Sequence, residues 1–77
     1  MSIKEKLQQS MGYIHKSDIT AIINEYGSDL EVVIDYYEYK PRKRITIGEF
    51  MEMDIEDRNI RRVFLPSDVY RELFKKN

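Results

Sequence analysis

The side chains best suited to bind a partner are basic and aromatic, and most of them lie within one short stretch of the chain. Four positive charges fall within residues 40–44, and an Arg-Arg pair follows at positions 61 and 62. Guanidinium groups bind carboxylates and phosphates, and tyrosine and arginine are common anchors of protein interfaces. The candidate binding residues are Tyr37, Tyr39, Lys40, Arg42, Lys43, Arg44, Arg61 and Arg62.

Basic side chains next to aromatic ones fit two kinds of partner. Aromatic rings beside arginines stack on single-stranded nucleic acid, and the same residue types anchor protein interfaces. Residues 18–39 carry six acidic residues and no basic one, in a chain of net charge −1. Because this acidic segment repels phosphate, we favour a small interaction or regulatory protein that docks on a protein partner, of which a homodimer is one form. The alternative is a nucleic-acid-binding accessory. A third interpretation is a solvated hairpin tip whose bases pair across the strands.

Few residues are suited to making or breaking bonds. His15 is the only histidine, and the chain has no cysteine, so a catalytic triad or a zinc site would lack its other members. Ser17 and Ser67 each precede a helical pattern and are interpreted as helix caps. The acidic pairs in residues 49–57 lack the spacing of an EF-hand loop. The sequence therefore predicts a protein that is not an enzyme, with no cofactor, no metal and no small-molecule substrate.

Length and composition predict one small folded domain over residues 1–77. The chain is 42% hydrophobic and 35% charged, with only three glycines and two prolines, which is too apolar for a disordered chain. No apolar run approaches the roughly 18 residues of a membrane span. The N-terminal residues also lack the apolar stretch of a signal peptide. We therefore expect a cytoplasmic protein without membrane contact.

Two helices are predicted before residue 28. The first begins with a capping box of Ser2 and Glu5, and its apolar stripe is Ile3, Leu7 and Met11. Whether this helix ends at Gly12 or continues into the second is open. The second begins after Ser17 and ends at Gly27. Its apolar residues recur at helical spacing on one face: Ile19, Ile22, Ile23 and Tyr26.

From residue 30 onward large apolar residues recur at every second position, which predicts a strand over about residues 30–39. The expected inward side chains are Leu30, Val32, Ile34 and Tyr36, and the expected outward ones are Val33, Tyr37 and Tyr39. Residues 40–43 are predicted to form the turn of a hairpin. Two registers are open, one pairing Tyr36 with Ile47 and the other pairing Tyr36 with Ile45, and both keep the same face inward.

The second strand of the hairpin is predicted over about residues 44–54, with Ile45, Ile47, Met51 and Met53 on one face. Gly48 predicts a bulge, which would turn Phe50 inward in place of Met51. A rival interpretation makes Thr46 a helix cap and residues 49–53 a short helix. A third strand is predicted from Ile60 to Leu65, and Pro66 ends it. A last helix then follows Ser67, with its inward side chains at Val69, Tyr70, Leu73 and Phe74. The fold class is α+β: two N-terminal helices, a three-stranded antiparallel meander and a C-terminal helix.

The segment from Leu30 to Val69 resembles the YolD-like proteins, a family of small bacterial and phage proteins. The matching features are the run 32–37 with its Tyr-Tyr pair, Gly48 followed by Phe50 and Met53-Asp54, Ile60, and Leu65-Pro66-Ser67-Asp68-Val69. The resemblance implies a bent sheet like that of SH3-like or Sm-like barrels. It also implies an accessory role in DNA-damage responses, linked in some members to translesion polymerases. No catalytic residue carries over from the family.

Overall fold

The computed structural model describes residues 2–37, 41–53 and 60–75, and in these ranges the chain is a mixed α+β structure. It contains four α-helices and a four-stranded antiparallel sheet. A 3-10 turn over Lys16–Asp18 leads into the second helix. The elements in chain order are α1 (Ile3–Gln9), β1 (Tyr13–Ile14), α2 (Ile19–Tyr26), β2 (Glu31–Tyr36), β3 (Lys43–Thr46), α3 (Ile47–Glu52), β4 (Ile60–Phe64) and α4 (Ser67–Leu73).

The predicted meander is wrong, because β2 and not β3 lies in the middle of the sheet. The strand order is β1-β4-β2-β3, and every neighbouring pair is antiparallel. β3 is followed at once by α3, so the chain leaves the sheet there and returns as β4 on the far side of β2. Among the described residues the sheet has two free edges, β1 and β3, and is not closed into a barrel.

Both predicted hairpin registers are wrong as well, although the predicted inward face is correct. β2 pairs with β3 through Val32 opposite Ile45 and Glu31 opposite Thr46. Ile47 begins α3 instead of pairing with Tyr36, and Ile45 pairs four residues earlier in β2 than predicted. A shift by an even number of residues keeps side chains on their face, so Val32 and Ile34 remain fully buried.

The predicted second strand ends early, and the rival short helix is the correct interpretation. The side-chain oxygen of Thr46 accepts a hydrogen bond of 3.1 Å from the backbone N–H of Glu49, which caps α3. Gly48 is therefore not in a bulge but in the first turn of this helix. Its missing side chain permits close packing, since a Cβ there would lie 3.1 Å from the Cβ of Ser28. Helical spacing then buries Phe50 and exposes Met51.

A short strand, β1, separates the first two helices, so they are not continuous. α1 ends at Gln9, and the turn after it places Gly12 at φ +93°, a conformation that favours glycine. The carbonyl of Gly12 accepts a hydrogen bond of 2.9 Å from the N–H of Leu65, which brings this turn against the end of β4. Met11 lies in the turn and is 80% exposed, so the prediction that it lies on the apolar side of the first helix is wrong.

The helix patterns are otherwise confirmed, with small changes at the caps. Ser2 accepts a hydrogen bond from the N–H of Glu5, as in the predicted capping box, and Gly27 ends α2. The N-cap position of α2 is held by Asp18, without a capping hydrogen bond from its side chain, since Ser17 lies in the 3-10 turn. In α4 the capping position is Pro66, and Ser67 is the first helical residue.

The helices supply the side chains that cover one side of the sheet. The buried core combines residues of α1, α2 and α3 with those of β2 and β4, and the apolar side of α4 packs against its margin. The buried residues are Leu7, Ile19, Ile22, Leu30, Val32, Ile34, Ile47, Phe50, Val63 and Leu65.

Candidate functional site

The other side of the sheet, turned away from this core, carries the aromatic and charged side chains and is the candidate functional site. In the middle of this side Tyr13, Phe64, Val33 and Arg44 lie side by side across the four strands, because each is the register partner of the next. We call this side the open face. Its members are Tyr13, Glu31, Val33, Asp35, Arg42, Arg44, Arg61, Arg62 and Phe64.

A β-bulge brings two consecutive arginines to the open face. Asp35 pairs with Arg62, but Tyr36 pairs with Ile60, so Arg61 is an extra residue in β4. In a regular strand consecutive side chains point to opposite faces, and a bulge breaks that alternation. As a result both arginines reach the same carboxylate.

Three arginines surround Asp35, and we call these four residues the Asp35 cluster. The carboxylate lies 3.1 Å from Nε of Arg62, 3.3 Å from Nε of Arg61 and 3.6 Å from Nε of Arg42. The hydrogen bond from Arg62, reinforced by the positive charges of Arg61 and Arg42, lowers the pKa of Asp35 below its usual value despite partial burial. The cluster carries three positive charges and one negative charge, a local excess of +2.

The aromatic part of the open face adjoins this cluster. The rings of Tyr13 and Phe64 meet edge to face with centroids 5.8 Å apart. Arg62 donates a 3.0 Å hydrogen bond to the Tyr13 hydroxyl, and its guanidinium carbon lies 5.4 Å from the centre of that ring. The guanidinium of Arg42 lies at the same distance from the Phe64 ring. These cation–π distances fall within the attractive range of about 6 Å.

A second cluster, formed by Arg44, Glu31 and Asp68, has a net charge of the opposite sign. Arg44 donates to Asp68 from two nitrogens, at 2.9 and 3.3 Å, and to Glu31 from Nε at 3.2 Å and from a terminal nitrogen. The hydrogen bonds to Asp68 and then to Glu31 raise the pKa of Arg44. The Arg44 hydrogen bond lowers the pKa of Asp68. This Arg44 cluster has one positive charge and two negative charges, a net −1.

The predicted binding residues do not form one group but lie in different parts of the structure. Arg42, Arg61 and Arg62 converge on Asp35, whereas Arg44 is held in the other cluster. Lys43 is the register partner of the buried Ile34, so it lies on the core side of the edge strand. Tyr37 follows β2 directly and is 69% exposed. Tyr39 and Lys40 lie outside the described residues.

Five members of the open face are not among the predicted binding residues: Tyr13, Glu31, Val33, Asp35 and Phe64. Tyr13 lies in a strand of two residues, which is too short to have a period that a sequence can reveal. Glu31 and Asp35 belong to the acidic segment, and Val33 is predicted only to face outward. Phe64 gave a usable signal, since it lies two residues after Arg62 in a predicted strand and therefore shares its face.

A groove of about 470 Å³ borders the Asp35 cluster. It is lined by residues of β1 and β4 and by the exposed His15. Its lining residues are Ser10, Tyr13, Ile14, His15, Arg61, Arg62 and Val63. Across residues 2–37, 41–53 and 60–75, no three histidine or acidic side chains are grouped closely enough to hold a metal ion. Within the same ranges no helix has the length and apolar character that crossing a membrane requires.

Comparisons with protein-family models, with curated proteins and with solved structures found no match to this chain. The resemblance to the YolD-like family therefore stays a prediction.

Proposed function

We propose that this chain is a small non-catalytic docking protein that binds a protein partner through the open face of its sheet. The observation that carries the proposal is the excess charge of +2 in the Asp35 cluster, located beside the Tyr13–Phe64 pair. Arginine and tyrosine are the side chains that most often dominate the energy of an interface. A partner that fits this face has an apolar patch with acidic groups beside it.

The surroundings of the aromatic rings favour a protein over single-stranded nucleic acid. Stacking on a base requires a free ring face, but Arg42 lies against Phe64 and Arg62 lies against Tyr13. The Arg44 cluster, with its net negative charge, also repels a phosphate backbone that crosses the sheet. A protein surface can place acidic groups at one cluster and basic groups at the other.

A second copy of the chain satisfies this pattern in a simple way. Val33 lies midway along β2 between Glu31 of the Arg44 cluster and Asp35 of the other cluster. Two open faces can meet around a two-fold axis that lies in the plane of the interface and crosses β2 at Val33. This axis places the Asp35 cluster of one copy over the Arg44 cluster of the other. In such a symmetric interface each charged cluster meets its opposite. A homodimer is thus one form of the proposal, and the molar mass in solution distinguishes it from a complex with another protein.

The proposal is tested by reversing charge on the open face and at a matched distant position. The face variant is Arg61→Glu with Arg62→Glu, and the control is Lys4→Glu with Arg71→Glu, exposed residues of α1 and α4. Both change the net charge equally. We expect the tagged wild type and the control to retain the same bound protein from the native cell, and the face variant to lose it.

Two results would contradict the proposal. One is retention of the partner by the face variant. The other is bound material that nuclease removes and that dissociates with a steep dependence on salt, which is the behaviour of a nucleic-acid complex.

A further inference from the structure

We propose that the Asp35 cluster is a binding site for a doubly charged oxyanion of the phosphate-monoester class, presented as a phosphorylated side chain of the docking partner. This inference rests on the proposed function, and it specifies the chemical group recognised at one end of the open face.

The first argument is the availability of hydrogen-bond donors. Arg42 and Arg61 each approach Asp35 through Nε. Within the described ranges no acceptor pairs with their terminal guanidinium nitrogens. These two side chains are 61% and 45% exposed. Guanidinium groups form paired, charge-assisted hydrogen bonds with phosphate oxygens, so both arginines can hold an anion without releasing Asp35.

The second argument is the positioning of the three guanidinium groups. Each lies within 3.6 Å of one carboxylate, so together they are within reach of a single anion. Asp35 offsets part of the repulsion between them, and its side chain is only 13% exposed. Arg62 is held further by the Tyr13 hydroxyl. Donors that are fixed before binding lose less conformational entropy when the ligand arrives.

The third argument is charge. The cluster has an excess of +2, which a dianion neutralises, whereas a monoanion leaves it with +1. In water, one additional negative charge about 5 Å from an excess of +2 raises the affinity roughly 16-fold. The cluster therefore favours a phosphate monoester over the singly charged phosphodiester of a nucleic acid.

The fourth argument is the room beside the cluster. The 470 Å³ groove is lined by Arg61 and Arg62 on one side and by residues 13–15 on the other. The Tyr13 hydroxyl accepts its hydrogen bond from Arg62, which leaves its own proton free to donate. The groove can thus hold the chain that carries the phosphate.

The test follows the side-chain Nε–Hε signals of the arginines by NMR while anions are added at low, constant ionic strength. The probes are inorganic phosphate, N-acetyl-phosphoserine amide and dimethyl phosphate, a permanent monoanion. We expect saturable shifts at Arg42, Arg61 and Arg62 with the first two probes. Arg44 is the internal control, because Glu31 and Asp68 already neutralise it, and its signal should not move. Binding of phosphoserine should weaken at least about fourfold between pH 7.5 and pH 5, since its second pKa is about 6.

Variants sharpen the test, with circular dichroism to establish that each is folded. Arg61→Gln should weaken phosphoserine binding, whereas Arg71→Gln, at an exposed position of α4, should leave it unchanged. Asp35→Asn should strengthen the binding of dimethyl phosphate and of phosphoserine and increase the preference for the dianion, because the local excess rises to +3.

Three outcomes would overturn the inference: shifts at Arg44 as large as those at Arg61, equal affinity for dimethyl phosphate and phosphoserine, or no saturable shift. The last outcome is separable from failure of the docking function. If phosphate does not bind but charge reversal at Arg61 and Arg62 still releases the partner, docking stands and the group recognised is a carboxylate.

Discussion

Asp35 is the residue on which the open face depends, because it converts three repelling arginines into an ordered group. Its carboxylate lies opposite Arg62 in the sheet and accepts that residue's hydrogen bond. Without it, Arg42 and Arg61 would lose the only ion-pair partner that the described residues provide. The residue thus has a structural role in the folded state and sets the charge that the face presents to a partner.

The lowered pKa of Asp35 predicts a specific acid dependence of stability. A carboxyl whose folded-state pKa is below its unfolded value of about 3.9 binds fewer protons when folded. Its stabilisation is therefore full above the unfolded pKa and is lost as the pH falls through the folded pKa. Asp35→Asn should make the free energy of unfolding less dependent on pH below about 4. Urea unfolding between pH 2 and 6 measures this.

The matched comparison for that prediction is Glu49→Gln, which removes an exposed carboxylate from α3. The role given to Asp35 would be contradicted if the free energy of unfolding kept its full pH dependence below about pH 4 in Asp35→Asn and lost part of it in Glu49→Gln.

At the scale of elements, α3 is the feature that most changes the topology. Thr46 ends β3 and caps the helix with the same side chain, so the chain turns onto the core side of the sheet after only four residues of strand. After this early exit β4 pairs with the other edge of β2 and not with the free edge of β3. The open face combines β1, β2, β3 and β4 for that reason.

Removing the cap should weaken α3 measurably. Thr46→Ala deletes the oxygen that accepts the Glu49 N–H and should lower the free energy of unfolding by about 1 kcal/mol, the usual cost of losing an N-cap. Thr46→Ser retains the acceptor and should cost less. Chemical denaturation of both variants measures the difference, and an equal loss in the two would show that the cap is not the cause.

The helical phase of α3 can be tested at two consecutive residues. Phe50 is 2% exposed and Met51 is 39% exposed. Phe50→Ala should cost about 3–5 kcal/mol, which is enough to unfold much of a domain of this size. Met51→Ala should cost less than about 1 kcal/mol. The reverse order would contradict the helical phase, since it requires Met51 to face inward as in a regular strand without a bulge.

The sequence predicted those elements whose local pattern and tertiary packing agree. α2 is an example, because Ile19 and Ile22 face the core and Gly27 ends the helix. Residues 47–53 were ambiguous, since their apolar residues satisfy a period of two almost as well as a helical one. Strand order lay beyond local reasoning, because it depends on where α3 sends the chain.

The candidate site was predicted in its composition but not in its arrangement. Arg42 and Arg44 are two residues apart, yet they belong to clusters of opposite net charge. That separation depends on which acidic residue each meets across the sheet. The contribution of Arg61 was similarly hidden, since only the bulge brings it beside Arg62.

For the whole molecule, the antiparallel sheet mixes charges that the sequence keeps apart. The acidic segment 18–39 and the basic residues that follow become partners, as β2 brings Glu31 to Arg44 and Asp35 to Arg62. The net charge left on the open face is uneven, with +2 at one cluster and −1 at the other. Such a charge separation selects the orientation of a partner as well as its charge.

This polarity predicts how salt affects docking. Complementary charges mainly raise the association rate, and salt screens them over a Debye length of about 8 Å at physiological ionic strength. The association rate of the identified partner should therefore fall as salt rises from 20 to about 300 mM, while dissociation changes little. Stopped-flow or biosensor kinetics measure both rates. An association rate insensitive to salt would argue against charge-guided docking.

The most direct test of the docking surface is site-specific photo-crosslinking in the native cell. A benzoylphenylalanine at Tyr13, an exposed aromatic residue of the open face, is compared with one at Ala21 on the exposed side of α2. We predict a discrete crosslinked protein, a second copy or another chain, from position 13, and none from position 21. The same product from both positions, or a product from position 21 alone, would contradict the assignment of the open face as the docking surface.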